Sequence, residues 1–447
     1  MNETLKLIRT STTEYVLYDG EGMQLFPLDS VEHAEIISYI EKKEKDPSFI
    51  QELYIEQWLT DATKPSLTEA IANKEAKMQT SLDVLVLPIT SGCNLKCPYC
   101  FAQTTKGDFN FKNYTKEDID RLLEHLWLKH GNKPVCLVFF GGEPLVKFDI
   151  MQYTVDQVNK RYRNKLNVGY SITTNGTLIN EYVAHFLKEN KVGVMLSIDG
   201  PKNDFNFRVF KNGRQSIDRV LKNMDILKRE GVNYVLRATI TSNNPYIVET
   251  YKFLEAQQNP FSAVFAYSSD NKSHGELSNY NKDSLLGIRK SLDILYSFYT
   301  NKMEKGEPIY NQTLQDIFNT IEFRIKKDIP CSAGRTYHTV LSNGDIYSCA
   351  HLMNESRFCM GNISTYVEGE KPRHFSLPES TYHMEECSPC WAKNLCSGGC
   401  ASQKLLDGKQ TVQAYNTDNC MLHKLEYEYY LKLYIRYKQL SSQKTTI

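Results

Sequence analysis

The stretch Ser91-Gly-Cys93-Asn-Leu-Lys-Cys97-Pro-Tyr-Cys100-Phe decides how the rest of the chain is read. It follows an apolar run, Val84 to Ile89, that reads as a buried strand. Gly92 and Pro98 then bend the chain, so three thiolates can converge on one centre. A four-iron cluster held by three cysteines keeps one iron without a protein ligand. That iron is free to bind a substrate or cofactor. Two other readings stand beside this one. Structural zinc takes four ligands, and no histidine or fourth cysteine lies close by. Chance burial of three thiols is the remaining alternative.

Working outward, the bulk numbers set bounds. The chain has 447 residues and is 41% hydrophobic, enough for sizeable cores in two to four domains. Lys and Arg number 53, as do Asp and Glu, so the formal net charge is zero. That balance gives no global case for nucleic acid or for an anionic membrane. Met1 to Ser11 has no apolar signal-peptide core, and no apolar run is long enough to span a bilayer. A cytoplasmic protein is the expectation. Of twelve cysteines, three stand at 93–100, one at 136 and eight between 331 and 420. Short clustered spacings in a reducing compartment point to metal binding, not to a disulfide framework.

Residues 1–82 read as a separate small domain. Glu14–Tyr18 and Met23–Phe26 are strand-like, joined by the turn Asp19-Gly-Glu-Gly22. Ser30 to Lys43, Tyr54 to Thr60 and Leu67 to Met78 are helical candidates. Such a sheet is either a packing appendage or an edge that captures an extended peptide by strand addition.

From Asp83 to Asp270 strands and helices alternate. Strands are expected at Val84–Ile89, Val135–Phe140, Gly169–Thr174, Gly193–Ile198, Val235–Thr241 and Ala263–Ser268. The clearest helices are Lys116–His130, Glu181–Glu189 and Ile217–Glu230, the first opened by a capping box of Thr115 and Asp118. Alternation of this kind implies a parallel sheet, here an open six-unit (β/α) partial barrel. The polar stretches Cys93–Cys100, Gly141-Gly-Glu-Pro144, Thr173-Thr-Asn-Gly176 and Ser197-Ile-Asp-Gly200 all fall at strand ends, where parallel α/β barrels build their active sites. Cys136, within the second strand, reads as a buried core thiol.

This arrangement resembles the radical S-adenosylmethionine enzymes over residues 83–270, including the aromatic Tyr99 before the third cysteine. The resemblance implies that Cys93, Cys97 and Cys100 hold a 4Fe-4S cluster whose open iron chelates S-adenosylmethionine. It implies that Gly141, Gly142 and Glu143 receive the methionine amino group, that Thr174 and Asn175 approach the ribose, and that Ser197 and Asp199 make further polar contacts. Arg208 and Arg237 are candidate partners for the cofactor carboxylate. An external donor such as flavodoxin or ferredoxin would supply the electron for reductive cleavage.

Residues 271–330 read as bridging helices, Leu285–Lys302 and Leu314–Ile325. Beyond them stand Cys331, Gly344, Cys349, Cys359, then Cys387-x2-Cys390-x5-Cys396-x3-Cys400, and Cys420. Residues 331–425 resemble the SPASM extension, which houses two auxiliary 4Fe-4S clusters and brings the total to three. The hairpin turn Asn343-Gly-Asp345 draws Cys331 and Cys349 together. By that resemblance Cys387, Cys390, Cys396 and Cys420 would hold the outer cluster. Cys331, Cys349 and Cys400 would hold the inner one, with Cys359 or a substrate thiolate as the fourth ligand. A zinc ribbon over Cys387 to Cys400 is the competing reading. The tail, 426–447, reads as a packing helix.

Enzymes of this architecture mostly modify peptides. Residues 1–82 resemble the winged-helix-like leader-recognition domain of ribosomal-peptide maturases, so a precursor peptide with a leader is the expected partner. A Cys thioether crosslink is the leading expectation and a carbon–carbon crosslink the second. A sulfatase maturase, which makes formylglycine, is the third; that group carries an Asp after the cysteine equivalent to Cys349, where this chain has Ala350-His351. A non-catalytic metal scaffold is the last.

Overall fold

In the computed structural model, residues 4–10, 14–28, 34, 36, 81–100, 103–104, 107–108, 111–201, 207–242, 244–266, 280–369, 380–402 and 417–445 are described. The helical expectations at 54–60 and 67–78, and nearly all of 30–43, lie outside them.

Six parallel strands build the frame: β4 (Val84–Thr90), β5 (Pro134–Gly141), β6 (Asn167–Thr174), β7 (Gly193–Ser197), β8 (Tyr234–Ile240) and β9 (Phe261–Phe265). They lie side by side in chain order, each hydrogen-bonded in parallel to the next. Five helices connect them: α1 (Lys116–His130), α2 (Phe148–Arg161), α3 (Glu181–Glu189), α4 (Ile217–Glu230) and α5 (Ile247–Ala256). The Thr115–Asp118 capping box opens α1 as expected, and Gly131 closes it. Asn180 caps α3 by accepting from the Val183 amide, and Gly231 ends α4 in the left-handed conformation. Of the five, α2 and α5 were not among the clearest expectations.

Strand alternation sorts side chains onto two faces. Leu85, Leu87, Leu137, Phe139, Ile172, Leu196 and Leu236 pack into one core with Ile119, Leu123, Ile150 and Met224 of the helices. The opposite, inner face carries Val86, Val138, Ser171, Thr173, Ser197 and Arg237. Cys136 belongs to that inner face, in register with Val84 and Gly169, and is half-buried. The expectation of a buried core thiol is corrected: the pleat turns it away from the helices.

Two long elements follow, α6 (Lys282–Glu304) and α7 (Gln312–Glu322), at the expected places. The chain then returns to the frame. β10 (Tyr337–Val340) pairs in parallel with β4, the strand that leads into the cysteine motif. β11 (Asp345–Tyr347) and β12 (Cys359–Asn362) add antiparallel, completing a nine-stranded sheet among the described residues. The last helix, α8 (Thr417–Thr445), begins before Cys420 and carries it. Its buried Tyr429, Tyr430, Leu433 and Tyr434 join the main core. No helix among the described residues is long and apolar enough to cross a membrane.

At the N-terminus, β1 (Leu5–Arg9), β2 (Tyr15–Asp19) and β3 (Gln24–Leu28) form a three-stranded antiparallel sheet. The β2–β3 turn docks on the cysteine-rich C-terminal region. Glu21, fully buried, forms an ion pair with buried Lys393 and accepts from the Tyr382 hydroxyl at 3.2 Å. Asn394 Nδ2 donates to the Gly20 carbonyl at 2.8 Å, and Tyr18 meets Trp391 edge-on.

Candidate functional site at the strand ends

The loop after β4 carries Cys93, Cys97 and Cys100. Cys97 is buried and the other two are half-buried. Burial pushes the Cys93 thiol up to about 11 and the Cys97 thiol up to about 12; Cys93 feels Cys100, and Cys97 feels both Cys100 and Cys93. The loop is fixed from several sides. The Cys100 amide donates to the Cys97 carbonyl, closing a turn. The Lys96 amide donates to the Val209 carbonyl at 2.7 Å, and Leu95 bridges to Phe210. The Leu95 amide points at Cys93 Sγ at 3.4 Å, and Asn175 Nδ2 approaches the same sulfur at 3.9 Å.

Gly141 and Gly142 explain their own presence. The Gly142 amide donates to the Thr90 carbonyl at 2.8 Å and the Glu143 amide to the Gly92 carbonyl at 2.9 Å. A Cβ on Gly142 would lie 2.4 Å from the Gly92 oxygen, and Gly141 sits at φ +135 with the Thr90 carbonyl against it. Only glycine lets the two loops touch backbone to backbone. Glu143 is buried and fastens this pair to β6: its carboxylate accepts from Thr174 Oγ1 at 2.7 Å, the Asn175 amide at 2.7 Å and the Leu145 amide at 3.1 Å. Burial raises its carboxyl to about 7, against the pull of those hydrogen bonds. Asn175 in turn donates to Asn94 Oδ1 at 3.0 Å, and Asn94 to Thr177 Oγ1 at 2.8 Å.

A second knot closes the far side. Asp199, buried after β7, accepts from the Tyr99 hydroxyl, from Arg208 Nε at 3.1 Å and from the Thr239 amide at 3.0 Å. The Arg208 guanidinium also lies 5.6 Å from the Tyr99 ring centre. Arg208 acts against burial at Cys97 by favouring its thiolate. Ser197 is buried on the inner face, directly opposite Arg237 in the β7–β8 register. Arg237 reaches the other way, donating from Nη1 to Ser262 Oγ at 2.9 Å. The expected residues from four strands therefore gather at one rim, with Ser197 and Arg237 level with each other and two residues inside the Asp199–Thr239 level. Asn94, Thr177 and Thr239 were not singled out in the sequence. The pairing of a motif asparagine with the second threonine of Thr174-Asn-Gly-Thr177 was the signal available for the first two.

The remaining cysteines form two groups that cross in sequence. Cys396 is coupled electrostatically to Cys420, Cys387 and Cys390. Cys349, pushed up to about 12 by burial, is coupled to Cys400 and Cys331. Cys359 lies on β12 beside β11; its thiol donates to the Gly361 carbonyl at 3.4 Å and neighbours Tyr347. It packs against the same small apolar cluster as Cys349 and Cys100. His351 is exposed next to Ala350. All twelve thiols are unbridged. Among the described residues no three His, Cys, Asp or Glu side chains close on the single point that one metal ion needs. A four-iron body, ligated at its corners by thiolates, does not ask for that convergence, and an all-sulfur donor set suits it.

Comparison with known proteins agrees with this geometry. Residues 87–254 match the family model of the radical SAM superfamily. An uncharacterised protein of Methanocaldococcus jannaschii is 33% identical over 283 residues, 63% of this chain and 88% of that protein. The cysteine-type anaerobic sulfatase-maturating enzyme of Clostridium perfringens is 27% identical over 365 residues, 78% of this chain and 96% of that one. Among solved structures, anSMEcpe with bound AdoMet aligns with a TM-score of 0.66 at 23% identity, covering 81% of this chain and 100% of that chain. Streptococcus suis SuiB bound to precursor peptide SuiA aligns with a TM-score of 0.55 at 18% identity, covering 93% and 98%. These two likenesses speak to fold. From the family match, the long relative and the three-cysteine rim, the chain belongs to the radical SAM superfamily and is an enzyme.

Proposed function

We propose that this enzyme modifies a ribosomally made precursor peptide, joining a Cys sulfur to a carbon of an acceptor residue. The observation that carries the reading is the pairing of a three-thiol rim with two further thiol groups in one chain, joined to it where β10 pairs with β4. Cys93, Cys97 and Cys100 would hold a 4Fe-4S cluster and leave one iron for S-adenosylmethionine. Bound there, the pair would supply reductive carbon–sulfur cleavage and a carbon radical able to take one hydrogen atom from the acceptor carbon; as the new bond forms the Cys thiol would release its proton and the surplus electron would pass to the inner auxiliary cluster. The chain's own part is placement. Gly141 and Gly142 let the β5 loop lie against the cysteine loop. Glu143 holds the Thr174–Asn175 strand end beside Cys93. Asp199 ties Tyr99 and Arg208 together, which keeps a guanidinium near Cys97 for the cofactor carboxylate. Cys387, Cys390, Cys396 and Cys420 would carry an outer auxiliary cluster. Cys331, Cys349 and Cys400 would carry an inner one, completed by Cys359 or by the substrate thiolate.

In this reading residues 83–270 are the catalytic core, 271–330 bridge it to a SPASM module at 331–425, and 426–447 brace the whole. Residues 1–82 would receive the peptide leader, with their sheet anchored on the auxiliary module. A flavodoxin- or ferredoxin-like donor would supply electrons, and a reducing cytoplasm would keep the thiols free. A carbon–carbon crosslink is the neighbouring outcome. Formylglycine formation is a second reading, favoured by the identity with the Clostridium perfringens sulfatase-maturating enzyme over nearly its full length.

The test is incubation of the anaerobically reconstituted enzyme with S-adenosylmethionine, reductant and two peptides. One is a Cys-containing precursor encoded beside the gene; the other is a sulfatase-derived Cys peptide. Loss of two hydrogens from the first, with a new thioether in fragmentation spectra, is expected. An aldehyde on the second, with the first unchanged, would replace the proposal with the sulfatase reading.

A further inference from the structure

Among the described residues, Arg237 is a cation without a counter-ion. It sits at the middle of β8 among residues whose exposures alternate, and Leu236 and Ala238 on either side face the helix-packed core with no exposed surface. Its own side chain therefore stands on the inner face of the barrel. There it is in register with Ser197 of β7 and Ser262 of β9. Burial lowers the pKa of its guanidinium, and among the described residues no charged group offsets that effect. Among the described residues it has no carboxylate partner, and its Nη1 donates to the neutral Ser262 hydroxyl at 2.9 Å. Arg carries five N–H donors in a fork, so most remain to be satisfied. A partly buried charge with neither pairing nor full hydration is costly to keep, and persists where something else supplies the anion.

The methionine carboxylate of the cofactor is a poor account of that anion. Arg208 is the guanidinium that acts on Cys97 and Glu143, the groups nearest the proposed cluster, and it pairs with Asp199 beside Tyr99. Thr239 is the β8 residue level with Asp199 and the Tyr99 ring, because its amide bonds that carboxylate. Arg237 lies two residues before it, about 7 Å further into the barrel at the usual rise of a strand. The Ser262 bond also draws the guanidinium toward β9, at the opposite end of the six parallel strands from β4.

We propose that Arg237, oriented by Ser262, is a specificity residue that binds a carboxylate of the peptide substrate inside the barrel. It would select peptides with an acidic group close to the reacting residue. Asp or Glu side chains and a free chain terminus offer the same chemistry, and a planar guanidinium fork receives either in bidentate fashion. This rests on the reading of the enzyme as a peptide modifier, yet its test needs no turnover.

The measurement is equilibrium binding of capped tripeptides Ala-Xaa-Ala to the cluster-loaded enzyme with S-adenosylmethionine and no reductant. Xaa is Asp, Glu, Asn or Gln, and a fifth probe is acetylated tri-alanine with a free C-terminus. Wild type should bind an acidic probe about 10-fold or more tighter than its amide counterpart, the scale of a charged hydrogen-bonded contact. R237Q should erase that preference, and S262A should reduce it part-way. Affinity for S-adenosylmethionine, measured alongside, should hold within about twofold if cofactor chelation lies elsewhere, and it also reports that each variant is folded. Preference for the internal Asp or Glu probe identifies a side-chain carboxylate; preference confined to the free terminus identifies the chain end. No acidic preference in wild type, or a preference that survives R237Q, overturns the proposal. So does a loss of about 10-fold in cofactor affinity with R237Q, which would return Arg237 to the cofactor. Absence of peptide modification in the earlier experiment, with the acidic preference intact, would sink the crosslinking reading alone.

Discussion

The two cysteine-bearing regions are built on opposite plans. At the β4 rim all three thiols come from eight consecutive residues, and the surroundings come to them: Asn175 from β6, Asp199 from β7, Thr239 from β8. In the C-terminal region the thiols themselves are gathered. Cys400 joins Cys331 and Cys349 from far along the sequence, while its neighbours Cys387, Cys390 and Cys396 join Cys420 on α8. A local motif announces itself; a gathered one needs the topology that gathers it. The seam between the plans is the parallel pairing of β10 with β4, reinforced where the Tyr114 hydroxyl donates to the Val340 carbonyl at 2.7 Å.

The sharpest way to break this contrast is to ask whether the gathered thiols act as two groups. C396S should cost the protein the iron of one auxiliary centre, and C400S the iron of the other. The double variant C400S/C396S should lose both, while C331S/C400S should lose no more than C400S alone. Iron and sulfide analysis after anaerobic reconstitution reads this directly. Equal losses from every pairing would show a single shared centre and dissolve the crossed arrangement.

A smaller effect tests the local plan. G142A places a methyl against the Gly92 carbonyl, and neither partner is a side chain that can swing away. Overpacking of this sort costs about 1–3 kcal/mol. The strain falls on the cysteine loop, so S-adenosylmethionine affinity should drop while auxiliary iron stays constant. Unchanged affinity would mean the two loops are not held in contact.

The smallest effect lies at the seam. His338 on β10 is fully buried, and its Nε2 meets the Ser81 and Arg335 carbonyls at 3.0 and 3.1 Å. Donation to both puts the proton on Nε2, and Nδ1 has no partner among the described residues. Burial lowers its pKa below the ordinary 6.5. The native chain therefore resists a proton that the unfolded chain accepts, so the stability it contributes is full above pH 6.5 and declines as pH falls below it. H338Q should flatten the fall in melting temperature on the acid side of pH 6.5. A parallel acid profile in both proteins would remove His338 from the seam's energetics.

How much of this was legible in the sequence follows the same division. The six strands, the capped helix after Thr115 and the rim position of the four polar stretches were all read from local pattern. The helix at Phe148–Arg161 was passed over: it starts straight out of the Gly-Gly-Glu-Pro loop, and its Lys147 cap position offers no side-chain signal. Cys136 was misplaced because composition says a strand thiol is apolar, whereas the pleat decides which face it takes. The roles of Asp199 and Glu143 as ties between strand ends could not be read at all. Each depends on partners from other strands, thirty or more residues away for Glu143 and up to a hundred for Asp199. Nor does any local pattern show that β10 returns to pair with β4.

The central claim is that Cys93, Cys97 and Cys100 leave one coordination site for S-adenosylmethionine. Electron paramagnetic resonance of the reduced enzyme, with and without S-adenosylmethionine, tests it most directly when wild type is set beside C93A/C97A/C100A. The cofactor should change the reduced-cluster spectrum of wild type, and leave unchanged the spectrum of the triple variant, whose remaining iron sits in the C-terminal groups. A cofactor-induced change that persists in the triple variant would place the open site elsewhere and contradict the account.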